Sequence, residues 1–477
     1  MKKTFPSLLI LFGVIFTLFF LLADMIGLGK PDIQAAQIFG MEIGVLIVLT
    51  AITFNILQKK HEFFDGVFWV NLRHGLCNLP ALAWVMLGAL PAFILYFIIP
   101  MFFDPSHRIQ YPVDYIRQIV PIGIDLQAML NATETWLKTG QSTQYVYTPL
   151  INILFAPLLL LGYPNSYYFI TFVTLTCYIM LSLLAILLSD VKNRSVVIFI
   201  AVVSIFSYGL MFELERGQTY TLSLALCVLA FYIFYRHPDF RLLAYLLFSI
   251  SIQLKFYPAL FVLLFVDDWR DWKNTLFRFT ALGLVNFLLL FLFGFPYFSI
   301  FFDHMVNSVQ YGEAAVVNHS IHSFVFMLSS SEWNLFNGAT ALWIEKNSGL
   351  IGNLLYGYVL ICFSVVLVYS WKRNKPGFNA DLFLTCVIGS LVLPSINHDY
   401  TLPLLMAPVA MSIAGWHAQD SSGSKIFTIL LTIITSFAYA ITLIPHVFKP
   451  IYLKNSLPLL IIILTAAALQ NIVQKTR

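Results

Sequence analysis

Apolar runs of roughly 20 residues recur from Leu8 to Ile472, the length a helix needs to cross the hydrocarbon of a bilayer. In lipid every backbone N–H and C=O must find a partner within its own helix or around a closed barrel. A barrel strand would alternate apolar and polar positions, whereas these runs are continuous. Composition agrees: 10% of the 477 residues are charged, against about 25% in soluble domains. The expected fold class is all-α, a polytopic transmembrane helix bundle of about 12 spans. The spans are placed at 7–27, 38–58, 80–103, 164–188, 195–212, 218–236, 275–297, 349–371, 379–396, 400–416, 425–446 and 456–473. The first run follows Lys2 and Lys3 as in a signal peptide, but it is long for one and Gly27-Leu28-Gly29 is a poor cleavage site, so it is read as a retained helix.

Two further apolar stretches, 148–163 and 242–266, are assigned by the distribution of Lys and Arg. If the first does not cross and the second enters and leaves on one side, 18 of the 27 cations fall on the cytoplasmic side, 8 outside, and Lys255 within the membrane. If 148–163 crossed, the downstream balance of 13 inside and 4 outside would reverse. The non-crossing arrangement is therefore expected, with both termini cytoplasmic. It makes 104–163 and 298–348 external loops bearing juxtamembrane helices, and turns 242–266 into a broken re-entrant hairpin kinked at Lys255-Phe256-Tyr257-Pro258. The division expected is two leading helices and a linker in 1–79, a membrane core in 80–416 with the two external loops, and two closing helices in 417–477.

Several classes of function recede at once. A net charge of +4 spread over span ends is no nucleic-acid footprint. The cysteines at 77, 177, 227, 362 and 386 lie far apart and mostly in apolar runs, so they read as packing residues. No ligand spacing requires a metal; the candidate carboxylates could hold Mg or Mn, but no cofactor is required.

Ionisable groups at or inside the lipid boundary are costly and therefore candidates for function. In this topology they converge on the external face. One set is Asp114, Arg117 and Asp125, with Glu134 and Lys138. A second is Glu213, Glu215, Arg216 and Gln218 in the turn FELERGQTY. A third is Asn397, His398 and Asp399, and Asn318, His319 and His322 form another possible group. Lys255 joins them from the apex of the hairpin. A carboxylate there suits a general base, with Asp125 first and Asp114 as the alternative. Arg216 and Lys255 suit a lipid phosphate and the charge it gains on leaving. Blander readings stand beside these: Arg216 can pair with Glu213 or Glu215, Gln218 can cap the next helix, and tyrosines at span ends form an interfacial belt.

The order of short motifs resembles one family. Gly123-Ile124-Asp125, a helix, a Gly turn at Gly140 and then Tyr145-Val146-Tyr147-Thr148-Pro149-Leu150 are similar to the first external loop of GT-C glycosyltransferases. Gly217-Gln218 and Lys255-Phe256-Tyr257-Pro258 resemble the G-Q and K-x-x-P elements of family 87, the branch that includes polyprenyl-phosphate-mannose-dependent mannosyltransferases. Asn318-His319-Ser320 and the PSINHDY stretch from Pro394 to Tyr400 resemble its later external motifs. The resemblance implies inverting transfer of a sugar from a polyprenyl-phosphate donor to a lipid or glycan acceptor, with Asp125 at the position of the catalytic Asp. It implies Lys255, Arg216, Gln218 and Tyr257 around the donor phosphate, and His398, Asn318, His319, His322 and Tyr147 around substrate. Two departures stand out: two spans precede the usual first one, and Tyr147-Thr148-Pro149 replaces the commoner Tyr-Pro-Pro.

Two other functions fit a polytopic chain. A transporter or flippase commonly repeats its broken helix in a second half, yet the hairpin at Lys255 and the Gly-x-Asp loop each occur once. A polymerase or ligase of surface polysaccharide also carries external Arg and His, but has no need of Gly-x-Asp so early in the chain.

Overall fold

A computed structural model describes residues 11–16, 18–19, 47, 123–139, 147–188, 208–310, 318–329, 338–375, 377–417 and 455–473. Asp114, Gly140, the spans at 38–58, 80–103 and 425–446, and most of those at 7–27 and 195–212 lie outside the described residues. What is described is helical, with an isolated bridge between Asn318 and His398 as the β-type pairing among these residues.

Fourteen α-helices carry the architecture of the described residues and are labelled here in chain order. They are α1 (Ile124–Thr139), α2 (Pro149–Phe155), α3 (Tyr163–Leu188), α4 (Tyr208–Arg216), α5 (Tyr220–Arg236), α6 (Arg241–Leu254) and α7 (Trp272–Leu289). The rest are α8 (Phe295–Gln310), α9 (Ile321–Ser329), α10 (Gly338–Lys346), α11 (Ser348–Arg373), α12 (Ala380–Val392), α13 (Met406–His417) and α14 (Leu457–Val473). By length and composition two helices can cross a membrane, Asn165–Leu188 and Ser348–Arg373. Pro149–Leu161, Tyr220–Arg236, Ala380–Val392 and Leu457–Val473 are apolar but shorter.

The stretch 148–163 is helical from Pro149 to Phe155 and tightens to a 3₁₀ segment over Ala156–Leu161. In 242–266, α6 ends at Leu254, Lys255 is extended (φ −152°, ψ 136°), and a 3₁₀ segment follows over Tyr257–Leu264. Pro258 explains the break, because its ring clashes with a continuing helix and biases the preceding residues away from it.

Two expected spans are not single helices: 400–416 opens as a 3₁₀ segment over Asp399–Leu405, with Pro403 inside it, before α13 starts at Met406. The run 275–297 is not one helix: α7 stops at Leu289, Gly294 adopts φ +85°, and α8 starts at Phe295 with Pro296 in its first turn. Apolarity is continuous across this break, so a hydropathy reading cannot see it; the left-handed glycine and the proline at the helix start supply its cause.

The core gathers α3, α5, α6, α12, α13 and α14 around buried Phe231, Phe248, Phe261, Phe265 and Phe383. Among helices in lipid, close packing and polar contacts hold the bundle, since the tails are as apolar as the side chains. Ser223 of α5 and Ser251 of α6 each donate a hydroxyl to the other's carbonyl, at 3.0 and 2.8 Å. Gln253 donates to Asn286 of α7 at 3.2 Å, and Asn286 donates to Ser249 at 3.1 Å. These bonds set the end of α6, and Lys255 with it.

Candidate active site

Two glycines bring the site together. Gly123 and Gly217 have φ of +74° and +67°. A Cβ on Gly217 would fall 2.8 Å from Leu126 Cβ and 3.3 Å from Gly123 Cα; one on Gly123 would fall 2.5 Å from the Tyr167 ring. Only glycine allows both the left-handed backbone and this approach. The Gly123 amide donates to Glu215 O at 2.6 Å, and Tyr167 donates its hydroxyl to Leu214 O at 3.0 Å. The first turn of α1 is thereby pinned against the turn that joins α4 to α5.

That contact sets Asp125 against residues about 90 positions away. Arg216 Nε donates to Asp125 Oδ2 at 2.8 Å, and Gln218 Nε2 donates to the same oxygen at 2.5 Å. Lys255 Nζ donates to Gln218 Oε1 at 2.6 Å. An ammonium can only donate and an ionised carboxylate can only accept, so these partners fix which end of the Gln218 amide is which. Asp125, Gln218 and Lys255 form one chain with Arg216 at its carboxylate end. Asp125 Oδ1 takes no hydrogen bond from any described residue. Arg216 and Asp125 are 26% and 19% exposed, so a substrate can reach them, while Gln218 and Lys255 are buried at 4% and 9%.

The turn is held from beneath by Glu213. Its carboxylate accepts the Thr221 amide at 2.6 Å and hydroxyl at 2.5 Å, closing the first turn of α5, and its carbonyl accepts the Gln218 amide at 3.0 Å. Burial pushes its acid up to about 8, against the pull of the Thr221 bonds. Burial also lifts Glu215 to about 7, with Arg216 pulling the other way. Sequence proximity allowed Arg216 to pair with either glutamate; it pairs with Asp125 instead.

Thr148 shows what the departure from Tyr-Pro-Pro does. Its hydroxyl donates to Gln253 O at 2.5 Å, fastening the start of α2 to the last turn of α6. A proline there has no such donor. Tyr147, next to it, lays its ring 4.8 Å from Lys255 Nζ. Burial, and then the charge of Asp125, raise the Tyr147 phenol above its ordinary range. Tyr257 donates its hydroxyl to Tyr220 O at 2.9 Å.

The later motifs build a frame. Asn318, His319 and Asp399 are buried. His319 Nδ1 lies 3.1 Å from Asp399 Oδ1, and His319 Nε2 lies 3.2 Å from Thr401 Oγ1. Burial drives His319 down to about 3 and lifts Asp399 well above the carboxylate range. In a neutral pair Asp399 would donate to Nδ1 and Nε2–H to Thr401, whose own hydroxyl donates to Asn397 Oδ1 at 2.8 Å. Asn318 Oδ1 accepts the amides of Asn397 and Ser320 at 2.9 and 3.1 Å, and Asn455 donates to its carbonyl at 3.0 Å. This frame presents Tyr400, whose ring centre lies 5.3 Å from those of Tyr220 and His398. His322 is exposed on α9, and Glu134 pairs with Lys138 on the outer face of α1 at 2.5 Å, away from Asp125.

A family model, glycosyltransferase family 87, matches residues 145–394, just over half of the chain. The chain belongs to glycosyltransferase family 87. No curated protein and no solved structure matches it. The segment matched to family 87 contains Tyr147, Arg216, Gln218, Lys255, Tyr257, Asn318, His319 and His322, while Asp125 and His398 lie just outside it. Asp125 is joined to the matched segment by its bonds to Arg216 and Gln218. Tyr220 and Tyr400 close the stretches FELERGQTY and PSINHDY, but neither was given a role of its own, since tyrosines at span ends read as an interfacial belt. Among the described residues, no three His, Cys, Asp or Glu side chains stand together as metal ligands would.

Proposed function

We propose that this membrane glycosyltransferase transfers a hexose, mannose-like, from a polyprenyl-phosphate donor to a lipid or glycan hydroxyl on the external face. The membrane core of residues 80–416 carries the reaction within a bundle of about 12 spans. The supporting observation is the chain of hydrogen bonds from Asp125 through Gln218 to Lys255, with Arg216 alongside. It puts a carboxylate and two cations within one side chain of each other at the mouth of a buried site.

In this scheme the acceptor hydroxyl attacks the anomeric carbon as its proton passes to the open Oδ1 of Asp125. The bond from that carbon to the phosphate oxygen breaks, and polyprenyl phosphate leaves with the electron pair. Attack from the face opposite the phosphate inverts the anomeric centre. Arg216 and Gln218 hold Oδ2 so that Oδ1 is aimed. Lys255, with two N–H donors left after Gln218, and the outer nitrogens of Arg216 take up the growing phosphate charge. Tyr147, Tyr257 and His398 line the approach. No resident cofactor is required, because the cations are supplied by side chains.

The test is Asp125→Asn. Asn can still accept from Arg216 and Gln218 but cannot take a proton. Transfer of labelled sugar from polyprenyl phosphate should fall about 10²–10⁴-fold, with polyprenyl-phosphate binding changed less than about threefold. Retention of the wild-type rate would remove Asp125 as the base.

A further inference from the structure

Lys255 presents a problem of charge. Its ammonium is buried and forms no ion pair among the described residues; its hydrogen-bond partner there is Gln218. It also lies beside the start of α5, whose positive dipole end disfavours a cation. An ammonium taken out of water without compensation tends to lose its proton. The Asp125 and Glu213 carboxylates act on it from beyond contact distance; in contact with it the compensation is aromatic, with Nζ 4.3 Å from the centre of the Tyr220 ring and 4.8 Å from that of Tyr147.

Tyr220 is the more firmly built of the two. It is the first residue of α5, below the Glu213–Thr221 closure. Its ring stacks on Tyr257 at 5.7 Å and 19°, and Tyr257 is bonded to its carbonyl and stands two residues from Lys255. Tyr400 braces it from the frame at 5.3 Å.

We propose that Tyr220 is a positioning residue whose ring face holds the Lys255 ammonium, charged and aimed, for the donor phosphate. A carboxylate in the same place would also compensate the charge, but it would repel the incoming phosphate and have to be displaced. A ring attracts the cation without net charge of its own, and leaves two N–H groups for the ligand. The inference rests on the reading of Lys255 as the phosphate site.

The experiment uses the full-length protein in detergent, with sugar-free polyprenyl phosphate as the binding probe and transfer kinetics beside it. Four proteins are compared: wild type, Lys255→Ala, Tyr220→Phe and Tyr220→Leu. Tyr220→Leu should weaken polyprenyl-phosphate binding and raise donor KM about tenfold, with kcat changed less than about threefold. Tyr220→Phe, which keeps the ring, should stay within about twofold of wild type. If Tyr220→Leu does not yield monodisperse protein, Tyr220→Met takes its place with the same expectation. Wild-type binding in the Leu or Met variant, or an equal loss in Phe, overturns the role of the ring. Should Lys255→Ala bind polyprenyl phosphate like wild type, the phosphate-site reading fails, and this inference with it.

Discussion

Arg216 donates its Nε to Oδ2 of Asp125 at 2.8 Å, on the oxygen that also takes the Gln218 amide, and Oδ1 takes no hydrogen bond from a described residue. A guanidinium can do this and still turn its two outer nitrogens elsewhere, because its donors are fixed in a planar fork. A lysine ammonium has three donors too, but on a flexible stem and without the planar fork that fixes their directions. Arg216→Lys should therefore lower kcat/KM for transfer by about 10–100-fold while the thermal midpoint in detergent changes little. Steady-state kinetics and an unfolding scan on the same preparation check this; full activity in the Lys variant would show that the fork is not used.

The two glycines that join α1 to the 213–218 turn make a separable prediction. Gly217 and Gly162 have nearly the same left-handed φ, +67° and +72°, but a Cβ on Gly162 meets nothing within 4 Å while one on Gly217 meets Leu126. Alanine at either costs on the order of 1–3 kcal/mol of backbone strain, at Gly162 because φ 72° with ψ 158° is a conformation essentially reserved to glycine. Only Gly217→Ala also pushes α1 off the turn and Asp125 off Arg216. Activity per folded molecule should fall at least about tenfold in Gly217→Ala and less than about twofold in Gly162→Ala. Equal effects would mean that the Gly123–Gly217 approach does not set the base.

Which groups to single out was more legible in the sequence than which groups touch. Asp125, Arg216, Gln218 and Lys255 stood out because polar residues are scarce in a chain made for lipid. The partner of Arg216 did not: Glu213 and Glu215 were nearer in sequence, and only the backbone contact at Gly123 and Gly217 delivers Asp125 from 91 positions away. Tyr220 was hidden for a related reason, since an aromatic at a helix end has an ordinary explanation in the interfacial belt. The break between α7 and α8 was invisible because hydropathy does not register backbone handedness. His319 read as a possible substrate ligand and Asp399 only as a member of the Asn397–His398–Asp399 cluster, and their burial puts both in the frame that carries Tyr400.

The protonation of that frame can be read by substitution. If Asp399 is neutral and donates to His319 Nδ1, an Asn side chain can donate in its place. Asp399→Asn should then cost less than about 1 kcal/mol, whereas Asp399→Ala leaves a buried ring nitrogen unsatisfied and should cost about 1–3 kcal/mol. Chemical or thermal unfolding of both variants distinguishes the cases. A loss in Asn as large as in Ala would point to an ion pair instead.

Glu213 makes stability depend on pH in a stated direction. Burial lifts its acid from the ordinary 4.5 to about 8 in the folded protein. Between those two values the unfolded chain has released a proton that the folded chain keeps. Stability from this group is therefore fully present below 4.5, declines as pH rises, and is gone above about 8. Glu213→Gln removes the titration and retains an acceptor for Thr221. The wild-type thermal midpoint should fall more steeply than that of Glu213→Gln between about pH 6 and about pH 8, and the two should run parallel beyond it. The same window should weaken the turn that carries Arg216 and Gln218, so wild-type transfer should lose heat tolerance there before the variant does. Parallel midpoints from about pH 5 upward would show instead that Thr221 and the start of α5 hold an ionised carboxylate throughout.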